Sequence, residues 1–393
     1  MKKIIFLVEN FFTLRDFYRF NIQDYLNDNI IVEIWDLTEF LDKDFKKLIK
    51  PDNELDAQYV KKFNDIENVK RSFKELKKNV LVSVHLKYNL KNFKIFRLLS
   101  KNKADYMMYS SSSPDIQALA KGKKDNIIMR LNRLLKNLTM VKFFNYFLNL
   151  IIQNINPRFF RVYPMTYLVV GGGIFYKRKN ILINKNTKII WAHQKDYDLF
   201  IKNKKNSLKT LNKQYAVFLD QAVPFHNDNI RMNVFIEPKK YYSSLENFFN
   251  FLKKKYQIET IVCAHPRSNN ELTKYIKNYL VVKNQTIKYV ENSSFVISHC
   301  SVAINFAVMY NKPILFIYDE VLKQNRTADH IEEITAISNI FGKKPINIDA
   351  IHNLDLKKEI EINKLKYEKY FKDYIKFKGE NKLISETVKD LLK

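Results

Sequence analysis

Short apolar runs rich in β-branched residues recur along the whole chain and constrain its fold more than any other feature. The runs are continuous rather than alternating, which is typical of strands buried on both faces of a parallel sheet. Helical patterns lie between them, and the clearest, SLENFFNFLKKKY at 244–256, has the length of a crossover helix. The runs are residues 3–8, 31–37, 80–86, 105–111, 166–172 and 188–193 in the first half, and 215–221, 259–266, 287–291, 295–299 and 313–319 in the second.

The length of the chain indicates two domains, because 393 residues exceed what one hydrophobic core usually supports. A polar stretch, KNKKNSLKTLNKQ at 202–214, separates the two series of apolar runs. We therefore predict an α/β fold of two Rossmann-like, doubly wound domains that face each other across a cleft. The predicted domains are residues 1–205 and residues 206–353, followed by a helical segment at 354–393 that packs back on the first domain.

The formal net charge of +27 arises from 68 Lys and Arg against 41 Asp and Glu. Such a balance indicates a polyanionic partner, although a general enrichment in Lys, Asn and Ile explains part of it. With only two cysteines, a disulfide scaffold is excluded. The sequence contains no stretch of 18 uncharged apolar residues, so no membrane span is predicted. We expect a cytoplasmic protein. A non-catalytic basic protein that binds membrane or nucleic acid is the alternative class, but no nucleic-acid module is recognisable, so no such partner is predicted.

Four small polar residues, SHCS at 298–301, stand where a buried run passes into a helical pattern. Ligands of parallel sheets bind at the carboxyl ends of strands. Ser301 is placed to cap a helix with free backbone N–H groups at 302–304, an arrangement that favours phosphate. A serine that only caps its own helix explains the same pattern.

Two further strand ends in the second half carry polar residues. His265, Pro266 and Arg267 follow the run ETIVCA, where the histidine and arginine suit phosphate and the proline fixes the turn. Asp220 ends the run YAVFL, and an acid at a strand end is a natural general base for a hydroxyl. A surface turn and a loop-capping Asp are the corresponding structural explanations.

Strand ends in the first half supply acceptor-side candidates. Glu9 and Asn10 follow the first run, Gly172 lies in the triplet GGG, and His193 and Asp198 follow the run KIIWA. Hydrogen bonds to a sugar acceptor or ordinary loop structure explain them better than a metal site, because no dense His/Cys/Asp cluster accompanies them. We predict no metal and no cofactor beyond the substrate itself.

Residues 121–160 contain eight Lys or Arg against one acid, interleaved with Phe, Leu and Ile. This composition suits a helix that lies on an anionic bilayer, and an amphipathic helix that covers the sheet is the alternative. Peripheral attachment to the inner face of the cell membrane follows from the first interpretation, and the second, which is slightly favoured, implies no membrane contact.

The segment AHPRS followed by SHCSVAINFAVMYNKPILFI resembles the His-Pro and Ser motifs of bacterial sialyltransferases and of related Kdo and polysialic acid transferases. These enzymes are GT-B glycosyltransferases. The resemblance covers mainly residues 215–320. The segments FLVENFFTLRDFYRF and KNTKIIWAHQKDYD also resemble proteins of surface-polysaccharide gene clusters, such as those for capsule or lipopolysaccharide.

The resemblance implies transfer of a CMP-activated ulosonic acid, such as sialic acid, another nonulosonic acid or Kdo, to an oligosaccharide or lipid-linked acceptor. It implies donor contacts from His265, Ser298 and Ser301, and we add Pro266, Arg267, His299 and Asn305 to the predicted donor site. Asp220 is the nearest match to the family's catalytic base, with His265 as the second catalytic residue.

The sequence departs from the family's acid–acid–Gly motif, because Leu219 and Gln221 flank Asp220. The base and the stereochemical outcome therefore stay open. A UDP- or GDP-sugar transferase and a UDP-sugar 2-epimerase of the same fold are the alternative enzymes.

Overall fold

The computed structural model describes residues 2–42, 54–76, 79–111, 140–177, 180–205, 214–225, 234–266, 272–323, 328–351 and 354–392, with the single positions 114, 116, 119 and 229. Contacts group these residues into two compact units. The first unit comprises the chain up to Ser111, residues 140–195 and the stretch from Lys376 onward. The second consists mainly of residues 196–375. The sequence-based domain boundaries at 205 and 353 stay a prediction.

Each unit is built on a parallel sheet whose strands have few exposed residues. In the first unit the described strands form one sheet in the order β3-β2-β1-β4-β5-β6-β7, and in the second they form the order β10-β9-β8-β11-β12-β13. All pairs are parallel. The strands are β1 Lys3–Val8, β2 Ile31–Asp36, β3 Val60–Lys62, β4 Val80–His85, β5 Asp105–Ser110, β6 Tyr167–Val170, β7 Lys188–Trp191, β8 Tyr215–Leu219, β9 Glu259–Ala264, β10 Leu280–Lys283, β11 Phe295–Ser298, β12 Ile314–Tyr318 and β13 Ile346–Asn347.

Helices connect the strands, as parallel pairing requires. The longest described helix, Pro238–Tyr256, begins with proline at its first turn and buries an apolar stripe that includes Tyr241, Leu245 and Phe249. The helices are α1 Leu14–Arg19, α2 Ile22–Asn27, α3 Thr38–Leu41, α4 Ile66–Lys74, α5 Phe93–Lys101, α6 Met140–Asn154, α7 Gly173–Tyr176, α8 Asp196–Lys205, α9 Pro238–Tyr256, α10 Leu272–Tyr275, α11 Thr286–Asn292, α12 Ile304–Met309, α13 Ala328–Ile340, α14 Leu356–Glu359, α15 Lys364–Tyr370 and α16 Ile384–Asp390.

The predicted fold class, an α/β chain with two Rossmann-like parallel sheets, is confirmed, and so is the return of the C-terminal helix to the first unit. Val388 of α16 is 1% exposed and belongs to the apolar cluster that contains Ile4 and Phe6 of β1. In the same contact, the hydroxyl of the buried Ser385 donates a 2.8 Å hydrogen bond to Asp24 of α2. The last helix therefore completes the core of the first unit.

The sequence-based strand at 287–291 is wrong. These residues lie in α11, and the strand of this region is β10, a few residues earlier. Val290 is fully buried while its neighbours Lys288 and Tyr289 are not, so burial follows a helical and not an alternating pattern. The short strands β3 and β13 are also missing from the sequence-based prediction.

Gly379 lies where the returning C-terminal segment passes β7. Its φ is +91°, and a Cβ atom there would be 2.5 Å from the backbone oxygen of Trp191. Gly342 offers a matched control, because its φ is +71° but a Cβ atom there would have its nearest neighbour, Nδ2 of Asn363, 3.7 Å away.

We expect Gly342→Ala to lower the free energy of unfolding by about 1 kcal/mol, the cost of a left-handed alanine. Gly379→Ala should lower it by clearly more, because the backbone of Trp191 must also move. Chemical denaturation of the two variants measures this difference, and equal losses would contradict the close approach to Trp191.

Candidate functional site

The centre of the second sheet is the natural ligand-binding position of this unit. β8 and β11 are neighbours there, while the chain leaves β8 toward β9 on one side and returns to β11 on the other. In open parallel sheets, ligands bind outside the carboxyl ends of the strands at such a reversal of strand order. The residues that follow β8, β9 and β11 therefore define the candidate site.

Gln221 joins two of these strand ends, although sequence reasoning treated it only as a neighbour of Asp220. Its Oε1 atom accepts a 2.9 Å hydrogen bond from the backbone N–H of Cys300, and its Nε2 atom lies 3.6 Å from the sulfur of Cys300. The next residue, Ala222, has a φ of +49°, so the chain turns sharply after β8. Burial raises the pKa of the Cys300 thiol to about 12, so this thiol is neutral at physiological pH.

The loop from Ser298 to Ser301 differs from its prediction in one respect. The helix begins at Ile304 rather than directly after Ser301, and it is only six residues long. The Ser301 hydroxyl accepts a 3.3 Å hydrogen bond from the N–H of Ala303, and the Ser298 hydroxyl accepts one of 3.2 Å from the N–H of Ser301. The N–H of Ile304 is bonded to the Ser301 carbonyl. The expected free N–H groups at 303 and 304 are therefore already satisfied by a compact turn.

His299, a predicted donor contact, is buried and uses both ring nitrogens inside the unit. Its Nδ1 lies 2.7 Å from the carbonyl of Ile317, which only accepts, so Nδ1 carries the hydrogen. Burial lowers the pKa of His299 to about 4, so the ring is neutral and Nε2 accepts from the hydroxyl of Tyr241 at 2.9 Å. In this structure neither ring nitrogen is available to a ligand.

Asp220 lies at the end of β8 and is only 3% exposed. Burial raises its pKa to about 6, and the backbone N–H groups of Ala222, His265 and Gln221 oppose that rise. None of these groups makes a well-formed hydrogen bond, because neither carboxylate oxygen has a partner of standard geometry among the described residues. Asp220 is thus a buried carboxylate beneath the loops that follow β8 and β9.

The other predicted donor residues are divided between surface and interior. His265 is half-buried at the end of β9 and Pro266 is exposed in the turn that follows. Arg267 lies outside the described residues. Asn305 is 1% exposed, and its amide donates to Asp196 at 3.0 Å and accepts from the hydroxyl of Tyr370 at 2.8 Å. Asn305 therefore ties α12 to α8 and α15.

Four of the five acceptor-side candidates belong to the first unit, and Asp198 belongs to the second. Glu9, which follows β1, accepts a 2.7 Å hydrogen bond from the side-chain amide of the buried Asn92. The next residue, Asn10, is exposed. Gly172 precedes the short helix α7. His193 is fully buried, with Nε2 2.9 Å from the carbonyl of Lys382 in the returning C-terminal segment. Asp198 lies in α8 of the second unit and is 2% exposed.

His85 is a strand-end histidine that sequence reasoning missed. It ends β4, which neighbours β1 at the reversal of strand order in the first sheet. Its ring stacks on Phe20 at a centroid distance of 4.3 Å, and Nε2 lies 2.9 Å from the hydroxyl of Ser83. Burial, with help from the positive charges of Lys195 and Arg19, holds the pKa of His85 well below its usual range. Its position at the end of the run VLVSVH was the only available signal.

The described part of the chain offers neither a metal-binding cluster nor a membrane span. No three His, Cys, Asp or Glu side chains come close enough together there to hold a metal ion. In the same residues, no helix has the length and apolarity needed to cross a membrane.

Comparisons with known proteins show the fold and no more. No protein-family model matches the chain, and no curated protein matches it by sequence. Among solved structures, the H548A variant of the wall teichoic acid polymerase TagF is 11% identical, with a TM-score of 0.52 over 100% of this chain and 88% of that one.

Two others have lower TM-scores. The UDP-GlcNAc 2-epimerase from Methanocaldococcus jannaschii gives 0.45 at 14% identity over 100% of this chain and 99% of that one. The S. aureus MnaA-UDP co-structure gives 0.47 at 10% identity over 100% and 95%. The fold shared with the TagF variant is a pair of Rossmann-like parallel-sheet domains, as in GT-B proteins.

Burial of the Asp220 charge makes a prediction about stability and pH. Its pKa is about 6 in the folded protein against an ordinary 3.8, so the folded state loses stability relative to the unfolded state as the pH rises from about 4 through 6. The shift corresponds to about 3 kcal/mol. Asp220→Asn removes this charge, so we expect the variant to lose less stability than the parent chain between pH 4 and pH 8.

Denaturant unfolding at a series of pH values measures the difference. Asp56→Asn serves as the control, because the Asp56 side chain is 87% exposed. Parallel curves for the parent chain and Asp220→Asn would show that Asp220 is not a buried charge.

Proposed function

We propose that the chain is a glycosyltransferase that uses a nucleotide-activated sugar, with the nucleotide held at the carboxyl edge of the second sheet. The observation that carries this proposal is the link from Gln221 to Cys300, which fixes the loops on both sides of the strand-order reversal. That is the position where Rossmann-like sheets bind nucleotides. The fold shared with a wall teichoic acid polymerase supports the proposal at the level of architecture.

The donor site uses the polar groups that remain accessible at this edge. His265 and Ser301 are half-buried at this edge and are our candidates for direct contacts with the donor. The side chain of Gln221 and the buried thiol of Cys300 engage each other and shape the loop instead. We assign His265 to the phosphate of the donor, where a donated hydrogen bond stabilises the charge that develops on the leaving nucleotide. Asn305 and His299 hold the loop from behind rather than touching the donor.

In the reaction, the acceptor hydroxyl oxygen attacks the anomeric carbon of the donor sugar. The bond from that carbon to the phosphate oxygen breaks, and the nucleotide leaves with the electron pair. We assign the hydroxyl proton to Asp220, because a carboxylate with a pKa of about 6 is ionised at neutral pH and still accepts a proton readily. Both carboxylate oxygens are buried in this structure, so the assignment includes a movement of the loops after β8 and β9 that lets the acceptor reach them. Independence from metal ions is part of the proposal and is tested by adding a chelator to the assay.

The structure reduces the support for a CMP-activated ulosonic acid as donor. The resemblance to sialyltransferases requires glycine after the acidic pair, but position 221 holds a glutamine whose side chain fills the loop and binds Cys300. A UDP- or GDP-linked sugar is therefore our first choice of donor, and the CMP-linked sugar is the second.

Nucleotide binding tests this function. We expect one of UDP, GDP or CMP to raise the melting temperature of the chain, by an amount that grows with the logarithm of the nucleotide concentration divided by its dissociation constant. His265→Ala should lower turnover by about 10²-fold or more while the melting temperature without ligand stays unchanged. Asp220→Asn should keep nucleotide binding and lose transfer.

His265→Asn is the matched variant, because it retains a hydrogen-bond donor and should recover part of the activity. The proposal fails if none of the three nucleotides shifts the melting temperature, or if His265→Ala transfers sugar at the parental rate.

We also propose that the first unit attaches to an anionic membrane surface. Of the predicted segment 121–160, residues 121–139 lie outside the described residues. The remainder contains α6, on which Phe143, Phe144 and Phe147 are each at least half exposed. Exposed aromatic residues next to a basic segment suit the interface of an anionic bilayer.

We expect the chain to sediment with vesicles that contain phosphatidylglycerol and not with vesicles of phosphatidylcholine alone. Phe144→Ser combined with Phe147→Ser should reduce the bound fraction several-fold, because each exposed ring inserts apolar surface. Raising the salt concentration should weaken binding. Equal binding to both vesicle types would contradict the electrostatic part of this proposal.

A further inference from the structure

The first unit contains a groove that is separate from the candidate donor site. It consists of two neighbouring cavities of about 440 and 420 Å³, which share Asn154, Ile181 and Ile183 as walls. The last turn of α6 forms one side, and the loop that precedes β7 forms the other. Cavities of a few hundred Å³ have the size of ordinary ligand sites.

Side-chain amides dominate the polar lining of this groove. Backbone N–H groups fix the orientation of three of them: Asn156 Oδ1 accepts from Arg158 at 3.1 Å, Asn180 Oδ1 from Leu182 at 3.0 Å and Asn184 Oδ1 from Asn186 at 2.9 Å. Because each oxygen is engaged in its own loop, each NH₂ group is left to donate elsewhere. The amides that line the groove are Gln153, Asn154, Asn156, Asn180, Asn184 and Asn186.

The charged side chains that line the groove are positive. Arg158 and Lys185 line the first cavity, and the described lining of both cavities includes no Asp or Glu. Neither cation has an ion-pair partner among the described residues. A ligand in this cavity therefore meets hydrogen-bond donors and positive charge together.

The second cavity has a different character. Tyr88 and Phe175 provide aromatic walls, with Ser110 and Gln153 as polar neighbours. The hydroxyl of Tyr88 is buried and has no hydrogen-bond partner in the described structure, so an uncompensated polar atom lies in the wall of this cavity. Aromatic surface next to amide and hydroxyl groups suits a sugar ring, which presents C–H faces and hydroxyl edges.

We propose that this groove binds an oligosaccharide that carries an acidic group, with the sugar rings along the amide and aromatic walls and the acidic group at Arg158 and Lys185. The proposal rests on the proposed function, since it assigns the groove to the saccharide chain of the acceptor. Two cations are too few for a nucleic-acid track. The NH₂ groups of Asn156, Asn180 and Asn184, whose oxygens are held by their own loops, match a polyhydroxylated ligand better than an apolar one.

Binding to the full chain, without any nucleotide, tests the groove. The probes are a hyaluronan tetrasaccharide, which carries carboxylates, a neutral chitotetraose, and inorganic pyrophosphate as an anion without sugar. We expect the hyaluronan fragment to bind most tightly. Arg158→Ala and Lys185→Ala should each weaken it about tenfold, the loss of one charge-assisted hydrogen bond, while leaving chitotetraose binding unchanged.

Two further variants separate the groove from general surface charge. Asn180→Asp places a carboxylate in the groove and should weaken the hyaluronan fragment, whereas Lys188→Ala removes an exposed cation of the same unit outside the lining and should not. Melting temperature and nucleotide-induced stabilisation report on folding and on the donor site independently, so a failure of the groove is distinguishable from a failure of the proposed function.

Three results would overturn the proposal. They are no binding of either saccharide, pyrophosphate binding as tight as that of the hyaluronan fragment, and a Lys188→Ala loss equal to that of Arg158→Ala.

Discussion

The strands of both sheets are apolar on both faces, and this constraint determines where polar chemistry can lie in the chain. Val217 of β8 and Ile297 of β11 are fully buried, as are Ile5 of β1 and Val169 of β6. Helices must cover the sheet from both sides, so each connection from one parallel strand to the next passes through a helix. Polar residues are then tolerated mainly at strand ends, and parallel pairing brings all carboxyl ends to one edge. The candidate donor site is a consequence of this arrangement.

Asp220 shows how this edge is organised in depth. Its carboxylate lies beneath two loops, and the backbone N–H groups of Gln221, Ala222 and His265 face it from both. The negative charge is unfavourable in this position, because burial outweighs those three groups and the pKa rises. The Asp220 carboxylate therefore destabilises the folded state where it lies, beneath the loops after β8 and β9. A functional site is the kind of place that retains such a group.

The fold was largely predictable because the signal for buried parallel strands is local. Each continuous apolar run needs only its own residues to be recognised, and only the run at 287–291 proved helical. In that segment Ile287 and Tyr289 stand on either side of Lys288, and this alternation resembles a strand. In the structure the segment is helical, and Val290 is its buried residue. The strands that were missed are short, and β13 has only two residues, Ile346 and Asn347. Strands this short form because they pair with a neighbouring strand of the sheet, and such pairing cannot be recognised from the sequence of one segment alone.

The candidate site was less predictable because its geometry depends on contacts between distant residues. Gln221 and Cys300 are 79 residues apart, and Asn305 and Tyr370 are 65 apart. No local pattern shows that the first pair shapes a loop at the surface, or that the second pair directs a polar side chain inward. The sequence analysis placed Gln221 and Cys300 next to strand ends, but it gave no information on their contact or on how deeply they lie.

The strand-end histidines of the second sheet differ in how deeply they are buried. His299 follows β11 and His265 follows β9 on the same edge, yet His299 is 1% exposed with a neutral ring whose two nitrogens are both engaged. His265 is half-buried at the start of a turn. A ring held at both nitrogens stabilises a loop but cannot exchange a proton or a hydrogen bond with a substrate without breaking its own support. A strand-end histidine can therefore serve chemistry only where the fold leaves part of the residue at the surface, and among the described histidines that follow β9 and β11 the half-buried one is His265.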